Sequence, residues 1–229
     1  CLEKYMLDPY TLVVFNDASE SKTHEAIHEV CRKRGLRCVD MPQHLHQSQR
    51  PSARNAAVVN YSLEIEGFDY EGIVVLLDSD MFLVKEINVS IFMKGSCLKA
   101  LFQERSNNEK KVDYLWVGIV FIDMQKLPDK RRLDFGEGIV EGVATDTGGR
   151  THLYLATHRE VEVEPISLVY TKDAYRAIEE CPCSFCQTRG LMPCLKVIER
   201  LKDFEPAQIL YIKESLGDNS EFYLDSHFF

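Results

Sequence analysis

The first strongly apolar stretch of the chain, Thr11 to Phe15, is rich in β-branched and aromatic residues and stops at Asn16-Asp17. A run of this kind, apolar without alternation, reads as a buried strand that delivers a polar loop. The period then changes. Over Ser21 to Arg34 the apolar positions Ala26, Ile27, Val30 and Cys31 recur at helical spacing, and Gly35 supplies a C-terminal stop. Leu36 to Met41 reads as the next strand, so the three segments predict a β-α-β unit. A second helix is expected over Ser52 to Ile65. After it, Gly72 releases the most apolar strand, Ile73 to Leu77, directly into Asp78-Ser79-Asp80.

Further strands are expected at Cys97 to Phe102, Tyr114 to Asp123 and Val161 to Val163, with a polar turn at Ser106 to Lys111. Gly148-Gly149 introduces a short helix through Ala156. Strands alternating with helices predict an α/β fold with a mostly parallel central sheet flanked by helices, in which ligands gather outside the carboxyl ends of the strands. Both polar loops would lie there. No internal repeat or low-complexity tract interrupts the pattern, so one domain over residues 1–229 is expected, with a cysteine-rich insertion at 181–194. The sequence opens on Cys1 rather than Met, which suits a piece of a longer protein.

Composition narrows the function classes. Of 229 residues, 27 are Lys or Arg and 36 Asp or Glu, a formal charge of -9 with pI near 5.3, which disfavours a nucleic-acid partner held on a broad basic surface. The longest apolar runs, Ile73 to Leu77 and Ile119 to Ile122, fall far short of the roughly 20 residues of a membrane span. A soluble, cytoplasmic protein is the expectation. Cys31, Cys38 and Cys97 fall in helix and strand contexts and read as buried thiols, and the sequons at Asn60 and Asn88 carry no weight without secretion.

The chemistry concentrates at Asp78 and Asp80. On an extended backbone, residues two apart project to the same side, so the two carboxylates would converge while Ser79 points away. Hard oxygen ligands of this kind suit Mg²⁺ or Mn²⁺, and a diphosphate can complete the coordination. In sugar transfer from a nucleotide sugar, charge develops on the departing diphosphate, where a bridging metal stabilises it. A strand-end turn capped by carboxylates is the plainer reading.

Together with Val14-Phe15-Asn16-Asp17, Pro51-Ser52-x-Arg54, Leu76 to Leu83, Tyr114-Leu115-Trp116-x-Gly118 and Asp146-Thr147-Gly148-Gly149, the motif resembles a GT-A-fold glycosyltransferase family of bacterial and large-virus proteins. The resemblance implies a single nucleotide-diphospho-sugar transferase domain that moves a hexosyl or pentosyl group from a UDP-sugar, by preference, to a hydroxyl of a glycan or glycoprotein. Phe15, Asn16 and Asp17 would hold the base and ribose, and Arg54 would pair with phosphate or a carboxylate. Ser79, Trp116, Gly118, Gly148 and Gly149 would complete the donor site, with the indole on a sugar face. Asp78, Asp80 and, near the chain end, His227 would hold the metal. Asp146 would be the base of an inverting reaction or a contact to the sugar.

Cys181, Cys183, Cys186 and Cys194 are compatible with structural Zn²⁺, with free thiols or with disulfides. Two rival functions stay open. One is a haloacid-dehalogenase-like phosphatase, which also places Asp-x-Asp after an apolar strand; the other is a noncatalytic nucleotide-sugar or glycan-binding domain.

Overall fold

The structure, a computed structural model, describes residues 2–47, 50–79, 81–83, 86–166, 169–170 and 209–211. In chain order the elements are α1 (Leu2–Tyr5), β1 (Val13–Asn16), α2 (Ser21–Arg34), β2 (Arg37–Asp40), α3 (Pro51–Ser62), β3 (Ile73–Leu77), β4 (Met81–Leu83) and α4 (Val89–Phe92). They continue with β5 (Leu98–Ser106), β6 (Lys111–Asp123), β7 (Gly138–Val140), β8 (Val143–Thr145), α5 (Thr151–Thr157), β9 (Val163–Pro165), β10 (Val169–Tyr170) and β11 (Ile209–Tyr211). Contacts divide the chain into two compact units, one from Thr11–Leu77 and Met93–Ile166, the other from the described parts of Cys1–Tyr10, Asp78–Phe92 and Ser167–Phe229.

Within the larger unit the predicted β-α-β element forms: β1 and β2 pair in parallel, with Val13 opposite Arg37 and Asn16 opposite Asp40. Helix α2 ends where expected, because Gly35 takes the left-handed conformation (φ 64°, ψ 25°) and its N–H reaches back to the final turn. Helix α3 begins with Pro51 at its first turn and passes into a π-helical turn, Leu63–Gly67, closed by the Phe68 N–H on the Leu63 carbonyl at 2.7 Å.

The expectation of a mostly parallel central sheet is corrected. The four-stranded sheet has the order β3-β6-β5-β9, in which β3-β6 and β5-β6 are antiparallel and only β5-β9 is parallel. The reason lies in the connection between β5 and β6. Asn107 to Lys110 make a tight polar turn in which Asn107 Oδ1 accepts the N–H groups of Glu109 and Lys110, and so short a link permits only a hairpin. The fold is mixed α/β with several sheets rather than one parallel layer.

One irregularity in this sheet shapes its surface. Ala100 pairs with Val120, but Leu101 pairs with Trp116, so Val117, Gly118 and Ile119 have no partner on β5. Such a bulge bends the strand and frees its far end. That end carries the β7-β8 hairpin, which turns through Glu141 (φ 49°) and Gly142 (φ 84°) and packs Val140 and Val143 on Val112 and Tyr114. The main core gathers Leu63, Phe68, Leu76, Leu98, Leu115, Val120, Ile122 and Phe135 between the sheet and α3 with α5.

In the smaller unit β11 pairs antiparallel with β4 and parallel with β10. Asp8 caps α4, accepting the Val89 N–H at 2.5 Å and the Ser90 hydroxyl at 2.8 Å.

Candidate functional site

Four sequence stretches far apart in the chain meet in the larger unit. The first is the loop after β1. Asn16 is 2% exposed, and its side chain accepts the Ala18 N–H (3.1 Å) and donates to the His24 carbonyl (3.3 Å), so its amide shapes the loop itself. Phe15 stands edge-on to Tyr61 of α3, with ring centroids 6.3 Å apart. Asp17 faces the second stretch, the first turns of α3, where Arg54 Nη2 donates to its carboxylate at 2.9 Å and to its carbonyl at 3.0 Å. Arg54 therefore takes the carboxylate alternative in this structure. Its Nε is buried and, among the described residues, has no hydrogen-bond partner.

The third stretch is Asp146 to Gly149. The Thr147 hydroxyl donates to the Ser52 carbonyl at 2.9 Å, tying this loop to α3, while the Ser52 hydroxyl donates to Glu137 at 2.9 Å. Glu137 is also ion-paired with Arg50. Asp146 accepts the Thr147 N–H at 2.8 Å, its own N–H donates to the Tyr114 hydroxyl at 3.2 Å, and Arg105 lies 3.7 Å from its second oxygen. Burial pushes the Tyr114 phenol up from its ordinary range, so the hydroxyl stays protonated beside that loop.

The fourth stretch is β6. Gly148 (φ 94°) lies so close to it that a Cβ there would stand 2.1 Å from the Leu115 carbonyl oxygen, and the Leu115 N–H donates to Thr151 at 2.9 Å. Only glycine permits that approach. A Cβ at Gly149 would fall 1.8 Å from the Thr145 hydroxyl. On β6 itself, the indole of Trp116 covers Gly118, where a Cβ would lie 2.3 Å from the ring. The Trp-x-Gly spacing thus has an internal explanation: the glycine makes room for the tryptophan of its own strand.

The carboxylate motif follows β3. Leu77 pairs with Ile119, the residue after Gly118, and the chain runs on into Asp78, which is half-buried, and Ser79, which is exposed. The Met81 N–H donates to the Asp78 carbonyl at 3.1 Å. The backbone therefore turns directly after β3. Asp80, His227, Cys181, Cys183, Cys186 and Cys194 lie outside the described residues.

Among the cysteines that are described, Cys31, Cys38 and Cys97 are free, with Cys31 buried and the others half-buried. Burial, with Cys31 alongside, pushes the Cys38 thiol up to about 12, which leaves it protonated and a poor nucleophile. Both sequon asparagines serve the fold. Asn60 donates to Asp134 at 2.6 Å and accepts the Phe135 N–H at 2.8 Å, and Asn88 accepts the Ile91 N–H at 2.8 Å.

A shallow hollow of about 790 Å³, lined by Tyr70, Glu71, Met124 and the Asp129–Arg132 segment, lies by Gly72 and Met124, at the opposite end of β3 from Leu77. No described helix is long and apolar enough to cross a membrane.

A cluster that the apolar pattern did not reveal lies on the β-α-β unit. His24 and His28 of α2 both meet Asp40 of β2. The available signal was the spacing His24-Glu25-Ala26-Ile27-His28, two histidines one helical turn apart. No protein-family model matches the chain, and no curated protein matches it.

Proposed function

We propose that the chain is a metal-dependent glycosyltransferase that moves a sugar from a nucleoside diphosphate sugar, UDP-linked by preference, to an acceptor hydroxyl. The observation that carries the reading is the Arg54 guanidinium. It is oriented by Asp17 at the end of β1, yet among the described residues nothing accepts a hydrogen bond from its buried Nε. The side chain as a whole is about a third exposed, and a guanidinium fork suits a phosphate group of a donor. Support also comes from the hydrogen bonds that gather the Phe15-Asn16-Asp17, Pro51-to-Arg54 and Asp146-to-Gly149 stretches, three separate parts of the pattern on which the resemblance rests.

In this reading Asp78 and Asp80 hold Mn²⁺ or Mg²⁺ against the diphosphate, with His227 as a third ligand. The metal would offset charge on the leaving group. Asp17 holds Arg54 in place, and Asp146, steadied by the Thr147 N–H and half exposed to solvent, has a carboxylate available to sugar or acceptor hydroxyls. Free thiols at Cys31, Cys38 and Cys97 suit a reducing compartment and a cytoplasmic enzyme.

Calorimetric titration of UDP, GDP and a panel of UDP-sugars, with and without Mn²⁺, tests the reading. UDP is expected to bind in a metal-dependent manner, at least about tenfold more weakly in Asp80→Ala, a loss of roughly 1.4 kcal/mol. Arg54→Ala should weaken binding with and without metal, because it removes a phosphate contact and not a metal ligand. Absence of nucleotide binding both with and without Mn²⁺ would overturn the proposal and direct attention to phosphatase assays.

A further inference from the structure

We infer that His24, His28 and Asp40 form a second metal site, independent of the carboxylate motif and suited to a borderline transition-metal ion, Zn²⁺ by preference. The site is built from the most regular part of the fold. Helix α2 returns from the end of β1 to the start of β2, so its early turns lie near the carboxyl end of β2, where Asp40 is the last residue. His24 and His28 share one face of the helix, with ring centroids 4.7 Å apart. Their Nε2 atoms lie 3.0 and 2.6 Å from the same oxygen, Asp40 Oδ1. A ligand atom from each of the three residues lies within 4.8 Å of the others.

Those separations are close to what a metal requires. In a tetrahedral Zn²⁺ site with bonds of about 2.0–2.1 Å, neighbouring ligand atoms stand about 3.3 Å apart. The two histidine-carboxylate contacts need to lengthen by about 0.3 and about 0.7 Å for the ion to replace them. Side chains with 35%, 39% and 49% of their surface exposed have that freedom. The backbone beneath them is set: Asn16 pairs with Asp40 across the parallel strands, the Asn16 carbonyl accepts the Met41 N–H at 3.1 Å, and its side chain holds the His24 carbonyl.

Ligand chemistry separates this site from the one proposed at Asp78 and Asp80. Two imidazoles with one carboxylate favour Zn²⁺ and its neighbours, whereas oxygen-only ligands favour Mg²⁺ or Mn²⁺. Three protein ligands on an exposed face leave the fourth position to water. The His-Glu-x-x-His spacing on a helix is shared with hydrolytic zinc sites, in which the Glu acts on bound water. Here Glu25 is exposed, and the inference concerns binding, with α2 and β2 clamped together as its consequence.

Titration of Co²⁺ and Zn²⁺ into the metal-free protein at pH 7.5 tests it, since the histidines must be neutral to bind. One equivalent of Co²⁺ should show ligand-field absorption without thiolate charge transfer, which sets it apart from any ion on Cys181, Cys183, Cys186 and Cys194. It should bind at least tenfold more weakly in His28→Gln and in Asp40→Asn, while Asp80→Ala and the serine replacements of those four cysteines leave it unchanged. In the unaltered protein, the His24 and His28 ring protons should be the first histidine NMR signals to shift with Zn²⁺. Undiminished nitrogen-ligated binding in His28→Gln, or first shifts at other histidines, would overturn the assignment, whereas failure of nucleotide binding alone would leave it standing.

Discussion

The β1-α2-β2 unit and the loop at 146–149 both bring polar residues to the end of a strand, by opposite means. In the first, the interactions are local: Asn16 reaches His24, eight residues on. In the second they are distant, with Leu115 joined to Thr151 across 36 residues and Thr147 to Ser52 across 95. The difference shows in two glycines with positive φ. Gly35 (φ 64°) has nothing within 4 Å of the place a Cβ would take, so only its backbone conformation calls for glycine. Gly148 (φ 94°) needs both the conformation and the space, with the Leu115 carbonyl 2.1 Å from that place. A local turn constrains the chain through dihedral angles, whereas a long-range dock adds the shape of the neighbour.

Gly148→Ala should break this comparison most forcefully. The left-handed conformation costs an L-residue about 1–2 kcal/mol, and the methyl must also push the loop away from β6. That movement weakens the Leu115-to-Thr151 bond and the 2.7 Å bond from the Gly148 N–H to the Phe135 carbonyl. A total loss of about 3 kcal/mol or more is expected in urea unfolding, since lost hydrogen bonds and strain add to the dihedral cost. A loss below about 1 kcal/mol would mean that the loop is not held against β6, because strain alone would account for it.

Asn60→Ala probes another distant connection at lower cost. The substitution removes the acceptor of the Phe135 N–H and the donor to Asp134, residues that lie 75 and 74 positions away. Leaving a largely desolvated N–H unpaired costs about 1–3 kcal/mol, so a loss near 2 kcal/mol is expected, again from urea unfolding. Asn60→Asp sharpens the test. It keeps an acceptor for Phe135 but sets a carboxylate against Asp134, and its instability should ease as pH falls and either acid takes up a proton.

The same division explains what the sequence disclosed. The limits of α2 and of β3 were legible to the residue because helical spacing, a terminal glycine and a continuous apolar run are local signals. Strand pairing was not. The polar turn at Ser106 to Lys111 was legible but not the hairpin it makes between β5 and β6, and the pairing of β3 with β6 depends on residues 42 to 50 positions apart, which no local pattern encodes. At the site, Arg54 and Asp17 were legible as individual polar residues, yet their pairing required the fold. Gly118 was read with Trp116 as part of the donor site, whereas its role of making room for that indole became apparent only from the structure. His24, His28 and Asp40 were overlooked because their spacing carries little apolar periodicity, although the two histidines lie one helical turn apart.

Gly35→Ala gives the smallest and cleanest test. The αL conformation costs alanine about 1–2 kcal/mol, and the loss of freedom in the unfolded chain returns about 0.4–1 kcal/mol, so the net loss should be near 1 kcal/mol. No clash adds to it, because the Cβ position is open. Urea unfolding of Gly35→Ala and Gly148→Ala under the same conditions therefore isolates the steric contribution as the difference between two substitutions of the same chemical kind. Equal losses would show that both glycines are held only by their dihedral angles. A larger loss at Gly148, with Gly35→Ala keeping the intact protein's Zn²⁺ response, would assign the excess to the loop's contact with β6 and leave the local β1-α2-β2 geometry unimpaired.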